Sequence, residues 1–133
     1  MSSSTAKLTS DNDNDVEVRR VDQENINTFG RLNARLYEVR GERDGLKKKL
    51  ERIDDASTEL MMGSGDKVMI LLGDAFFEVA EDEATEYCEE EVDKYQGMID
   101  CLEKEEEDIL EKQAGLKTVL YGRFGSSINL EDK

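Results

Sequence analysis

Two series of residues, each stepping alternately by three and four positions, most constrain what this chain can fold into. The first is Phe29, Leu32, Leu36, Val39, Arg43, Leu46, Leu50, Ile53, Ser57 and Leu60. The second is Cys88, Val92, Tyr95, Ile99, Leu102, Glu106, Ile109, Gln113, Leu116 and Leu120. Eight of the ten positions in each series are apolar, which is a heptad seam sustained over more than four repeats. A helix lying on a globular core would carry a wider stripe, with three or four apolar positions in every two turns. The narrow seam predicts a mainly α fold, a long antiparallel two-helix coiled coil. Helices are expected over 22–62, with Asp22 as N-cap, and over 81–121. The chain has no Pro, a residue that would kink or break such helices. At about 1.5 Å per residue each helix would span roughly 50 to 60 Å, longer than a compact domain of this size needs. Gly30, Gly41, Gly45, Gly97 and Gly115 fall inside the helices. Each costs about 1 kcal/mol relative to Ala, so packing must hold the helices together.

The two seams fit one antiparallel register. Phe29 faces Leu120, Leu32 faces Leu116, and the ladder runs without a slip to Leu60 facing Cys88. This register sets Arg43 opposite Glu106, the only charged residue in each seam. The pair is expected to approach and help fix the register, as polar seam residues do in other coiled coils.

Between the helices, residues 67–80 read as a β-hairpin. Gly63 and Gly65 end the first helix, and two apolar runs then flank Gly73-Asp74, a Gly-X pair suited to a two-residue type II′ turn. The first run is apolar on both faces, with Val68, Ile70 and Leu72 on one and Met69 and Leu71 on the other. Phe76, Phe77 and Val79 follow in the second. A lone two-stranded hairpin is marginal in water, and open edges with two apolar faces favour pairing with other chains. These eight residues are therefore the expected oligomer interface.

After the second helix, Gly122 and Gly125 read as terminators. Phe124, Ile128 and Leu130 lie beyond the last seam layer, beside Ile26 and Phe29 at the end remote from the bend. Apolar residues gathered there read either as a hydrophobic end-cap or as a contact for a partner. Residues 1–20 are polar and aperiodic, and read as a disordered tail. Within it, Asp11-x-Asp13-x-Asp15 resembles the start of a calcium loop. Val16 stands where such a loop needs Gly, however, and Asp22 where it needs Glu, so no metal is expected.

Composition narrows the function. The chain has no His, which removes triads and imidazole acid–base chemistry. It shows no phosphate-cradling Gly-rich loop and no zinc-ligand spacing, so neither an enzyme nor a cofactor is expected. A net charge of −15 over 133 residues argues against nucleic acid and anionic membranes. No apolar run is long enough to span a bilayer, and no secretory signal is expected. Cys88 and Cys101, about 20 Å apart on one helix, cannot bridge each other; each reads as a small apolar residue in a reducing compartment. Residues 81–111 hold fifteen acidic and two basic residues. Such a run is ordinarily a solvated helix face, and the eight basic residues within 23–60 balance part of it across the coiled coil.

The order helix, single β-hairpin, helix, followed by Leu120-Tyr121-Gly122-Arg123-Phe124-Gly125-Ser126-Ser127-Ile128-Asn129-Leu130-Glu131, resembles the β-type prefoldin subunits. The stretch Val21-Asp22-Gln23-Glu24-Asn25-Ile26-Asn27-Thr28-Phe29 resembles the start of their first helix. The resemblance covers residues 21–131. It implies a cytoplasmic heterohexamer, with some nuclear presence, of two α-type and four β-type subunits. Their hairpins would form a double β-barrel platform, and their coiled-coil tips would hold unfolded clients such as actin and tubulin. The clients would pass to the cytosolic chaperonin without nucleotide. By position, Ile26, Phe29, Leu116, Leu120, Phe124, Ile128 and Leu130 would form the client-binding tip. The many interior glycines depart from the family pattern. Two further readings stay open at this point: an acidic coiled coil that binds basic partners such as histones, and a structural coiled-coil spacer.

Overall fold

The computed structural model describes residues 7–8, 17–61, 68–72 and 75–131, with the side chains of 7–8, 61, 68–72 and 75–77 left out of the description. The elements in chain order are β1 (Lys7–Leu8), α1 (Arg20–Met61), β2 (Val68–Leu72), β3 (Ala75–Val79), α2 (Glu81–Phe124), a 3-10 turn (Gly125–Ser127) and β4 (Ile128–Asn129). This is the expected pair of long helices joined by one β-hairpin. The chain divides into two units: residues 1–40 with 103–133, and residues 41–102.

All twenty seam positions are buried or half-buried, and none is exposed. In the first unit Ile26, Phe29, Leu36 and Val39 of α1 and Ile109, Leu120 and Phe124 of α2 are buried. Cross-helix bonds there give the strand sense of the pairing: Asp22 meets Arg123, Asn33 meets Gln113, and Arg40 meets Glu106. As the first number rises the second falls, so the two helices run antiparallel.

The start of α1 departs from expectation. Asp22 stands in the first turn of a helix that begins at Arg20, so it is not the N-cap. From this third helical position its carboxylate accepts the backbone N–H of Arg19 at 2.9 Å, which satisfies an amide the helix itself leaves unpaired. α2 also runs three residues past its expected end, to Phe124. It stops where Gly125 takes φ +55°, a left-handed conformation that glycine adopts without steric cost. Part of the polar tail has a defined place as well: Lys7 and Leu8 pair antiparallel with Asn129 and Ile128, because β4 offers its backbone edge to them.

The second unit holds the hairpin. β2 and β3 pair antiparallel from Val68 with Val79 to Leu72 with Ala75, the register expected from a turn centred on Gly73-Asp74. Those two residues, and with them the turn type, lie outside the described residues, as does the Asp11–Asp15 run. α2 opens with Glu81, Asp82 and Glu83 in its first turn, where carboxylates face the positive end of the helix dipole. Ala84, Cys88 and Ile99 are buried, and Lys49 of α1 lies 5.8 Å from the Tyr95 ring of α2. Cys88 fits its expected role as a small apolar residue, whereas Cys101 is exposed; both are free thiols.

A Cβ built on Gly41, Gly97 or Gly115 would meet nothing within 4 Å. These positions are therefore a pure backbone-entropy loss to their helices. Gly115→Ala should raise stability by about 0.5–1 kcal/mol. A thermal or urea melt followed by helical circular dichroism would measure it, with no change in the helix content of the native baseline.

Candidate functional site

The seven residues expected at the tip come together in the first unit. Ile26, Phe29, Leu120, Phe124, Ile128 and Leu130 form one buried cluster, with Leu116 and Tyr121 packed against it. They are turned toward one another: Ile128 and Leu130 are 3% and 5% exposed. The end-cap arrangement is thus the one adopted here. Fully burying an Ile or Leu side chain contributes about 1.5–3 kcal/mol, so the short C-terminal segment has reason to stay in place. Among the described residues of this unit the exposed large apolar side chains are Val18, Val21, Tyr37, Leu110 and Val119, none of which belongs to the expected set.

The geometry of the cap follows from the end of α2. The left-handed Gly125 and one 3-10 turn reverse the chain, and Ile128 is extended. Burial then alternates: Ile128 in, Asn129 out, Leu130 in, which is a strand with one face on an apolar floor. The Tyr121 hydroxyl accepts the Leu130 N–H at 2.9 Å and donates to Glu131 Oε2 at 3.2 Å. Lys117 Nζ reaches Glu131 Oε1 at 3.5 Å.

Across the cluster sits a charged latch that the heptad pattern did not reveal. The Asp22 carboxylate is 1% exposed and receives Arg123 Nε at 3.1 Å and Nη2 at 2.5 Å. Arg19 approaches from the other side at 3.3 Å. Arg123 Nη2 also donates to the Glu17 carbonyl at 2.9 Å, and its guanidinium stands 5.3 Å from the Phe124 ring. Arg123 and then Arg19 hold the Asp22 carboxyl far below the usual carboxylate range, against the opposing effect of burial. Asp22 in turn raises Arg123 above the ordinary guanidinium value.

Further along the first unit, Arg35 grips Glu105 through two bonds of 2.7 and 2.9 Å, the bidentate geometry that makes such pairs strong, and lowers the Glu105 pKa. Arg40 meets Glu106 at 2.8 Å. Arg43, the expected register residue, is half-buried and pairs with Asp44 at 3.2 Å. The buried Gln113 amide donates to Asn33 Oδ1 at 3.3 Å. Gln113 was visible as a polar break in its seam, but Asn33 lies beside its seam and gave no signal.

At the hairpin, Val68 through Leu72 and Phe76, Phe77 and Val79 all lie on the two paired strands. Among the described residues β2 and β3 pair with each other and with no further strand. Also in the second unit, a groove of about 760 Å³ is lined by Leu46, Leu102, Met98 and Cys101 beside Gly45 and Gly97. Among the described residues no group of three or more His, Cys, Asp or Glu side chains could hold a metal ion. No described helix is long and apolar enough to cross a membrane.

The latch makes stability pH-dependent with a definite sign. A carboxyl held below its unfolded value stabilises the fold fully above about pH 4, the ordinary value, and that contribution drains away as pH falls toward the depressed folded value. Asp22→Asn should therefore melt earlier than the wild type at neutral pH. The gap between the two melts should narrow as pH drops from about 4 toward about 2. A gap of constant width in pH-resolved melts would assign Asp22 a purely steric role.

The family model described as prefoldin subunit matches residues 23–127. A prefoldin subunit 4 from Bos taurus is 40% identical over 119 residues, covering 88% of this chain and 89% of its own length. A probable prefoldin subunit 4 from Dictyostelium discoideum is 36% identical over 119 residues, covering 89% and 90%. The crystal structure of the prefoldin beta subunit from Thermococcus strain KS-1 superposes with a TM-score of 0.74 at 16% identity, covering 82% of this chain and 96% of that one. That likeness carries the fold, and the closer relatives carry the kinship. With α1 from Gln23 onward, the hairpin and all of α2 inside the span the family model matches, this chain belongs to the prefoldin subunit family.

Proposed function

We propose that this chain is one subunit of a cytoplasmic, nucleotide-independent heterohexameric co-chaperone, with a share in the nucleus. Its coiled-coil tip holds unfolded clients of the actin and tubulin class for delivery to the cytosolic chaperonin. The observation that carries the assembly half of this reading is the hairpin. Val-Met-Ile-Leu-Leu pairs with Ala-Phe-Phe-Glu-Val in a sheet that has two strands among the described residues. Such a sheet has two open backbone edges, and in water it gains most by joining strands of other subunits. The α-type and β-type partners are the natural donors of those strands, given the family.

The client half rests on the tip cluster. It joins six buried apolar residues of the first unit, with Leu116 and Tyr121 packed against them. Its residues are buried in the resting chain, so holding a client requires the cluster to open. The chemistry is apolar contact throughout, with no catalytic step.

Ile70→Asp with Leu72→Asp should release the chain from its complex while leaving most helicity in place. Burying two unpaired carboxylates in a shared sheet is strongly unfavourable. Native mass measurement of the reconstituted complex reads the result, and unchanged assembly would reject the platform role.

Ending the chain after Tyr121 removes Phe124 from the apolar floor and Arg123 from the Asp22 ion pair that ties the two helices, along with Ile128 and Leu130 above them. The complex should still assemble, but suppression of aggregation of a denatured client should fall to a small fraction of the wild-type level. Full retained suppression would count against the tip.

A further inference from the structure

The segment 125–131 is built differently from the surface it covers. The floor is helical: Ile26 and Phe29 come from α1, Leu120 and Phe124 from α2. The cover is a strand two residues long that presents Ile128 and Leu130 downward and Asn129 outward. It is joined to α2 through Gly125 at φ +55°. Its polar attachment comes from two side chains of α2: Tyr121 holds both the Leu130 N–H and the Glu131 carboxylate, and Lys117 reaches Glu131 at 3.5 Å. Its free backbone edge is taken by Lys7 and Leu8. A two-residue strand held by solvent-exposed side-chain bonds belongs to the part of a fold that opens readily, whereas the helical floor is tied by the pair of Arg123 with the buried Asp22 carboxylate.

We propose that 125–131 is a lid that occupies the client seat, and that Ile128-Asn129-Leu130 is an internal stand-in for the segment a client supplies. The inference rests on the proposed holding function and adds what that function would select. The seat takes an extended peptide with aliphatic side chains at positions i and i+2 and a free backbone edge, not an amphipathic helix. Lys7 and Leu8 supply a strand alongside it, in the manner of β-augmentation. Binding is then regulated from within, because a client must displace the lid, and its apparent affinity is reduced by the fraction of tips that stand closed.

Tyr121→Phe separates the lid from the floor, since it keeps the ring and removes only the hydroxyl. In the assembled complex with the full-length chain, two readouts apply. Exchange of the Leu130 amide should speed up about fivefold, the factor commonly produced by loss of one hydrogen bond. A fluorescent peptide of residues 125–133 should bind about fivefold tighter than to the wild-type complex by the same argument. The same peptide with Asn at the positions of Ile128 and Leu130 should not bind. Faster exchange without tighter binding would mean that the segment covers no seat. Unchanged exchange would mean that Tyr121 does not hold the segment closed; either result overturns the proposal. The holding function fails on a different result: a wild-type complex that retains no denatured client, or one whose retention ignores truncation after Tyr121.

Discussion

The narrowness of the seam is the constraint on which the rest depends. A stripe two residues wide in every seven can be covered by one neighbouring helix and by little else. Each layer then contains few apolar atoms, and any polar atom beside it must find a partner, because burial without one costs more than the bond itself returns. The first unit meets that demand fully. Asp22 is closed by Arg123 and Arg19, and Gln113 by Asn33. Among the described residues no buried side-chain nitrogen or oxygen lacks a hydrogen-bond partner.

These polar bonds also select the pairing. Apolar heptads of similar length align in several registers with little difference in contact, whereas a buried carboxylate tolerates only the alignment that delivers a guanidinium. Arg35 on Glu105 and Arg40 on Glu106 act in the same sense at the flank of the seam. They are half-exposed, so their individual contribution to stability is small. Their contribution to choosing one register over another is larger, since a shift by one heptad would take both guanidinium groups away from Glu105 and Glu106. Exposed pairs within one helix, such as Arg20 with Glu24 and Lys104 with Asp108, add only about 0.2–0.5 kcal/mol each to local helicity.

The sequence made the seams legible because helical periodicity is a local signal repeated many times. Ser57 and Gln113 could interrupt it without hiding it. The hairpin was legible for a similar reason, with two β-prone runs on either side of Gly-Asp. The latch was not legible, because Asp22 and Arg123 stand 101 positions apart and neither lies on a seam. Asp22 looked like a helix cap, since an acidic residue ahead of a periodic stretch usually is one. Only the antiparallel fold shows that its carboxylate serves the end of the second helix as well as the start of the first. The closed state of the tip was hidden for a related reason. Composition places Ile128 and Leu130 near Phe29 but does not say which way they face. That is decided by one left-handed glycine and by a tyrosine hydroxyl that reaches back to an amide nine residues on.

Polar closure and apolar cover therefore have separate tasks at the tip. The Asp22–Arg123 pair joins the two helices themselves, and its carboxylate lies almost out of reach of water, so its attraction is less screened than that of the exposed pairs and holds the floor as one body. The Tyr121 contacts join only the C-terminal segment to its helix; the Glu131 carboxylate there is exposed, so solvent and salt compete with that attachment. Displacing Ile128 and Leu130 would uncover Ile26, Phe29, Leu120 and Phe124 without parting the helices that carry them. Under the proposed holding function, a surface that exposes apolar atoms to a client and afterwards hides them needs this division, with a rigid seat on one ion pair and a cover on weaker, solvent-exposed bonds. Without the first the tip would fray, and without the second it would present bare apolar surface to every neighbouring complex.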